Sequence, residues 1–216
     1  SVAGLSFGGA IAAEFADRYP ERVDHLILMA PLVVSLDKYD PMGAWIRGNL
    51  DMLRLWWGPL WGPMAYDYYY DMIYRSYLVS ERISADRIPQ EMRAIPDIYK
   101  ESVFHQVRAM RDFDLKSYGF KNVNVHLVLA GEEDAPVYAD QLRAWDSFDR
   151  SARGSLVYLP KAAHGIPATA PLEASRVTLR ILDNDGGLAK GGFYRAEGED
   201  ITPCRDTKEM KEGNCR

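Results

Sequence analysis

The stretch Gly4-Leu5-Ser6-Phe7-Gly8-Gly9 decides how this 216-residue chain is read. It is a Gly-x-Ser-x-Gly sequence running straight into Ala10-Ile11-Ala12-Ala13-Glu14-Phe15-Ala16, a helix-forming run. The spacing predicts a sharp strand-to-helix turn that lifts the Ser6 hydroxyl clear of a sheet, a nucleophile elbow. Glycines two residues either side remove the Cβ atoms that would collide in such a turn, where the serine's own backbone is strained. The helix that follows aims its N-terminal amides at the place where an oxyanion would form, and the amide of Phe7 is the expected donor.

Working outward, the helix is predicted over 8–19, stopped by Pro20. The apolar run His25-Leu26-Ile27-Leu28-Met29-Ala30 follows, closed by Pro31, and reads as a buried parallel strand. Strand, helix and strand in this order make a βαβ unit, so the fold class is α/β. Upstream of the elbow only Ser1-Val2-Ala3 stands where a whole buried strand is expected. The expectation is therefore a C-terminal portion of a longer sheet, with earlier strands and any targeting segment in a missing N-terminal portion of the same fold.

From Leu32 to about Leu115 the pattern changes. This insertion holds Trp45, Trp56, Trp57 and Trp61, the run Tyr66-Asp67-Tyr68-Tyr69-Tyr70, and then Tyr74 and Tyr77. Apolar residues recur at helical spacing, as in Met72, Ile73 and Tyr77 and again in Val103, Val107 and Met110, with turns at Gly58-Pro59 and Gly62-Pro63. The reading is a helical cap over residues 32–115, inserted in a core of 1–31 and 116–183. Most of its aromatics form its own core, and a minority line an apolar pocket for an acyl chain or aromatic group.

The sheet resumes near Asn122, with Val123, Val125, Leu127 and Leu129 alternating with Asn122, Asn124, His126 and Val128. Directly after Ala130-Gly131 come Glu132, Glu133 and Asp134. An acid at the C-terminal end of a strand can orient a catalytic histidine; Asp134 is the first choice and Glu133 the fallback. An amphipathic helix over 138–150 follows, with Leu142, Trp145 and Phe148 on one side and Asp140, Arg143 and Asp149 turned elsewhere. Next is the strand Ser155-Leu156-Val157-Tyr158-Leu159, ended by Pro160, then His164 on a small-residue loop and a last helix over about 168–183. Of the four histidines, His25 opens a strand, His105 lies on a cap helix and His126 is mid-strand; only His164 follows a strand's C-terminal end. His164 is the candidate base.

Ser6, then an acid at Asp134, then His164, each after a separate strand, is the order in which α/β-hydrolases carry their triad. The chain resembles that superfamily over roughly Ser1 to Leu182, through Gly4-Leu5-Ser6-Phe7-Gly8-Gly9, Gly131-Glu132-Glu133-Asp134 and Ala163-His164-Gly165. The helical insertion after Ala30-Pro31 is similar to that of lysophospholipases and monoacylglycerol lipases. The resemblance implies a serine hydrolase that cleaves a carboxylic ester, small-molecule or lipid, through an acyl-enzyme, with no metal or organic cofactor. A prolyl-iminopeptidase-like peptidase and a non-catalytic binding module of the same fold stay as alternatives. Members also carry a second oxyanion-hole donor on a loop before the elbow, and no such loop is present in this sequence. The chain made alone is therefore expected to be poorly folded and nearly inactive.

Beyond Asp183 the sequence is Gly-rich and charged, and residues 184–216 are expected to lie on the surface without building a core. Both cysteines fall there, Cys204 and Cys215, spaced wrongly for a common zinc site. They are free thiols or one disulfide; the reading leans to the disulfide, which would point outside the cytosol. A net charge of −5 supplies no basic stripe and so excludes a nucleic-acid partner, and no apolar run is long enough for a transmembrane segment.

Overall fold

The apolar stretches 26–30, 127–130 and 156–159 are buried on both faces, and a parallel sheet with helices around it satisfies them. The computed structural model of the protein describes residues 1–35, 38–39, 45, 49, 71, 75, 78, 82–93, 109, 111–133, 135–183 and 187–215. Two units are present: residues 1–33 with 114–216, and residues 34–113.

In the first unit the sheet has six strands in the order β1 Val2–Leu5, β2 His25–Met29, β3 Asn124–Ala130, β4 Arg153–Leu159, β5 Gly192–Glu197 and β6 Asp200–Cys204. Neighbours from β1 to β5 pair in parallel, and β6 runs antiparallel to β5. The short β1 is in register with β2 along its whole length, Val2 opposite Leu26 and Leu5 opposite Met29. Because the five parallel strands share one direction, the ends of β1, β3 and β4 that precede Ser6, Glu133 and His164 lie at one edge.

Helix α1, Phe7–Arg18, packs on β1 and β2 through Ala10, Ala12, Ala13 and Ala16, side chains small enough for close approach. Helix α3, Ala135–Ser147, presents Ala144 and Trp145 to the core, and Trp145 meets Phe148 edge-on, as Phe148 meets Phe120. Its Asp140 is buried too, against the expectation, because Arg143 one turn on donates to its carboxylate at 3.0 Å. The predicted last helix is two: α4, Ile166–Thr169, and α5, Pro171–Leu182, divided where Pro171 has no N–H to continue the ladder. Ala174, Val177 and Ile181 of α5 share one apolar cluster with Ile27, Met29, Val128, Val157 and Leu159.

In the second unit, α2 spans Ile88–Arg93, with Ile88 and Leu78 buried and Arg87 paired to Glu91. Trp45, Asn49, Asp71, Arg75, Leu78 and Ala109 are helical, and Trp45 is exposed. Trp56, Trp57, Trp61, the turns at Gly58-Pro59 and Gly62-Pro63, the tyrosine run 66–70, Met72, Ile73, Tyr74, Tyr77, Val103, His105, Val107 and Met110 lie outside the described residues. No helix among the described residues is long and apolar enough to cross a membrane.

The expectation that nothing beyond Asp183 joins the core is overturned. β5 adds to the open side of β4, Ser155 opposite Gly192, and so borrows an existing sheet instead of building its own core. A two-residue turn with Gly198 at φ 61° returns the chain as β6, and α6, Thr207–Glu212, follows under an Asp206 N-cap. Ala196 and Met210 are fully buried. A disulfide joins Cys204 at the end of β6 to Cys215 just past α6. Arg195 supports the same clip, donating to the Met210 carbonyl at 3.1 Å while its guanidinium lies 5.8 Å from the Tyr158 ring centre.

Closing a loop of 11 residues removes unfolded-state freedom equivalent to about 2–3 kcal/mol. Reduction, or the pair Cys204→Ser and Cys215→Ser, is therefore expected to lower the thermal midpoint by several degrees. Melting curves recorded with and without reductant check it, and coincident curves would contradict the assignment of a stabilising clip.

Candidate active site

Ser6 sits between β1 and α1 with φ 52° and ψ −119°, a backbone conformation that side chains rarely adopt. The main chain around it fixes that conformation. Its N–H donates to the Met29 carbonyl at 3.0 Å, and its carbonyl accepts from Gly9 at 3.0 Å and from Leu32 at 3.2 Å. Although Ser6 occupies the N-cap position of α1, its side chain makes no capping bond, so the hydroxyl is left for other chemistry. The Phe7 amide, first in the helix, has no intrahelical acceptor, as an oxyanion donor requires. Of the flanking glycines only Gly4 is sterically required: a Cβ there would come within 2.6 Å of the Gly9 nitrogen. A Cβ at Gly8 would meet nothing within 4 Å, and the second tight position is Gly9, 3.1 Å from the Pro31 side chain.

At the far end of the sheet edge, His164 Nδ1 lies 2.7 Å from Glu133 Oε2. The Glu133 side chain is 8% exposed and that of His164 22%, so this contact is largely shielded from water. Asp134, the first choice of acid, lies outside the described residues. The acid that pairs with His164 among the described residues is Glu133, one position earlier. His164 itself is carried by the loop that leads from β4 to α4, where Ala162 and Ile166 enter the same apolar cluster as Met29 and Ala30, with Leu5 packed against it. In the sheet order β1 and β4 are three strand spacings apart, about 14 Å. Among the described residues no hydrogen bond ends on the Ser6 hydroxyl, and none contains a cluster of three or more His, Cys, Asp or Glu side chains able to hold a metal.

The two remaining described histidines form a separate pair at the opposite edge. Ser155 donates its N–H to His126 Nδ1 at 3.1 Å, which leaves the proton on Nε2, 3.0 Å from His25 Nδ1. Bare Gly154 makes room for the ring, since a Cβ there would stand 2.7 Å from Nδ1. Burial, then the neighbouring His25 and Lys190, hold His126 down to about 4 from an ordinary 6.5. Burial likewise lowers His25, against the opposing pull of Asp24.

The family model for serine aminopeptidase, S33, matches residues 1–168. The chain belongs to the serine aminopeptidase S33 family, within the α/β-hydrolases. It is also 23% identical to a 1-acylglycerol-3-phosphate O-acyltransferase of Saccharomyces cerevisiae, in an alignment of 204 residues taking in 77% of this chain and 50% of that protein. The chain thus spans about half the length of that relative. A solved structure, a probable hydrolytic enzyme of Pseudomonas aeruginosa, is similar over 85% of this chain and 63% of its own, at 17% identity and a TM-score of 0.42.

In this S33 chain the Glu133 and His164 loops are joined before their side chains meet. Glu132 N–H donates to the Ala162 carbonyl at 3.0 Å, and Gly131 N–H to the Leu159 carbonyl at 2.8 Å. Gly131 permits it: a Cβ there would come within 2.6 Å of the Pro160 Cα.

Two outcomes are expected. Gly131→Ala forces backbone apart where no flexible side chain can yield, at a cost of about 1–3 kcal/mol, and draws Glu133 away from His164. Denaturant melts and the rate of Ser6 modification read both effects, and unchanged values for both would contradict the apposition. His126, lower in the folded state than in the unfolded, contributes stability that is complete above pH 6.5 and is lost as pH falls toward 4, about 3 kcal/mol in all. The stability of His126→Asn should change correspondingly less across that window; an identical slope would show that the group does not titrate as described.

Proposed function

We propose that this chain carries the nucleophile, base and acid of a serine hydrolase that cleaves carboxylic esters of an apolar acyl group. The observation that supports it best is the 2.7 Å contact of His164 Nδ1 with Glu133. A carboxylate on Nδ1 holds the Nδ1–H tautomer and leaves the Nε2 lone pair to take the Ser6 proton. Ser6 Oγ then attacks the ester carbonyl, and the oxygen that becomes anionic is received by the Phe7 amide. The alkoxide leaves with the proton from His164 Nε2, and an acyl group remains on Ser6. Water, deprotonated by the same nitrogen, resolves this acyl-enzyme and frees the carboxylic acid. Glu133 stabilises the imidazolium that forms twice per turnover. Its shielding from water strengthens that interaction.

The yeast relative is described as an O-acyltransferase, which favours acyl esters over the amides that the family's name suggests. In the same chemistry an alcohol replacing water at the second step gives transfer in place of hydrolysis, so acceptor alcohols belong in the assay.

A fluorophosphonate probe is expected to label the protein at Ser6, with labelling lost in Ser6→Ala and His164→Ala. Chromogenic acyl esters should turn over faster than the matching aminoacyl or prolyl amides. Absence of labelling would point instead to a non-catalytic binding module, and faster amide cleavage to a peptidase. For the acid, Glu133→Gln is expected to reduce kcat by about 10³- to 10⁴-fold while Asp134→Asn changes it little. The reverse pattern would return the assignment to Asp134.

A further inference from the structure

A single hydroxyl holds the base loop on both sides of His164. Thr169 Oγ1 accepts the Ala163 N–H at 3.0 Å and donates to the Gly165 carbonyl at 3.1 Å. The residues before and after the imidazole are thus tied to one side chain. The second bond is what a threonine in a helix ordinarily makes with the carbonyl four residues back. The first is different: its donor lies six residues back, outside α4, on the approach to His164. Three main-chain bonds complete the turn, from Ile166 to the His164 carbonyl at 2.9 Å and from Ala168 and Thr169 to Gly165 at 2.9 and 3.0 Å. Ala162 sits in the apolar cluster, but Ala163 and Gly165, on either side of His164, offer little side chain to wedge the loop, and Gly165, at φ −77°, is in a conformation open to any residue. Hydrogen bonds, and the anchoring of Ile166 in the apolar cluster, have to supply the rigidity.

We propose that Thr169 is a positioning residue: its hydroxyl clamps the loop at Ala163 and Gly165 so that His164 Nδ1 stays on Glu133 and Nε2 faces the nucleophile. The assignment rests on the functional reading given above for Ser6 and His164. The clamp acts through geometry, since the Thr169 hydroxyl bonds main-chain atoms of the loop. A misplacement of the base by an ångström is enough to cost about a hundredfold in rate.

The test compares Thr169→Val, which keeps the shape and loses the hydroxyl, with Thr169→Ser, which keeps the hydroxyl, both in the complete protein. Thr169→Val is expected to lower kcat for a chromogenic ester about ten- to a hundredfold with little change in KM, and to move the acid limb of the pH–rate profile downward as the imidazolium loses its partner. Thr169→Ser should recover most of the rate and the parent profile. Independently of turnover, the proton resonance of His164 Nδ1–H against the Glu133 carboxylate should be sharp in the parent and in Thr169→Ser, and broadened or lost in Thr169→Val. Should Thr169→Val fail to fold, Thr169→Ala is compared in its place. A parent-like resonance and pH profile in a folded valine or alanine variant overturns the proposal. So does a serine variant as impaired as the valine one, which would mean that packing and not the hydroxyl matters. Loss of Ser6 labelling in the parent would sink the hydrolase reading alone, because the resonance still reports whether Thr169 holds the imidazole.

Discussion

The site depends on two loops from neighbouring strands being fastened main chain to main chain. β3 and β4 are adjacent and parallel, so the chain leaves both at the same height above the sheet. The Glu132 N–H on the Ala162 carbonyl then fixes how the two exits diverge, and a residue without a side chain at 131 lets the Pro160 backbone close in. Once those atoms are set, Glu133 has little choice but to meet His164. The carboxylate–imidazole contact is a product of sheet geometry, and its shielding from water follows from how close the loops lie.

Ser6 is held by a different balance. Its backbone conformation costs on the order of 1–3 kcal/mol. Three main-chain hydrogen bonds to β2, to the chain after it and to the first turn of α1 hold it there, with Leu5 and Ala30 packed into the core on either side. A hydroxyl that declines the capping bond open to it at a helix N-terminus is the visible result.

Much of this was legible in the sequence, for local reasons. Glycine spacing around Ser6 and long apolar runs report on turn geometry and two-sided burial, both set by near neighbours in the chain. The contact between Glu133 and His164 was not, because it depends on how the chain leaves β3 and β4 and not on local composition. β5 and β6 escaped notice since Phe193-Tyr194-Arg195-Ala196 looks too short and polar to bury anything by itself, and becomes a strand only where β4 offers an open side. The turn residues Gly198-Glu199 between runs rich in aromatic and β-branched side chains were the signal available. Thr169 carried none: a threonine four residues past a glycine is unremarkable until Ala163 is seen to fold onto it. Asp140 misled for a similar reason, its burial depending on an arginine that covers it.

The dihedral angles at position 6 have a consequence for which chemistries this turn could host. With φ at 52°, a side chain branched at Cβ would press a methyl group against its own backbone. Threonine is shut out of the elbow although its hydroxyl reacts in the same way, whereas cysteine and aspartate, unbranched at that carbon, fit as serine does. The scaffold chooses among nucleophiles by shape before reactivity enters.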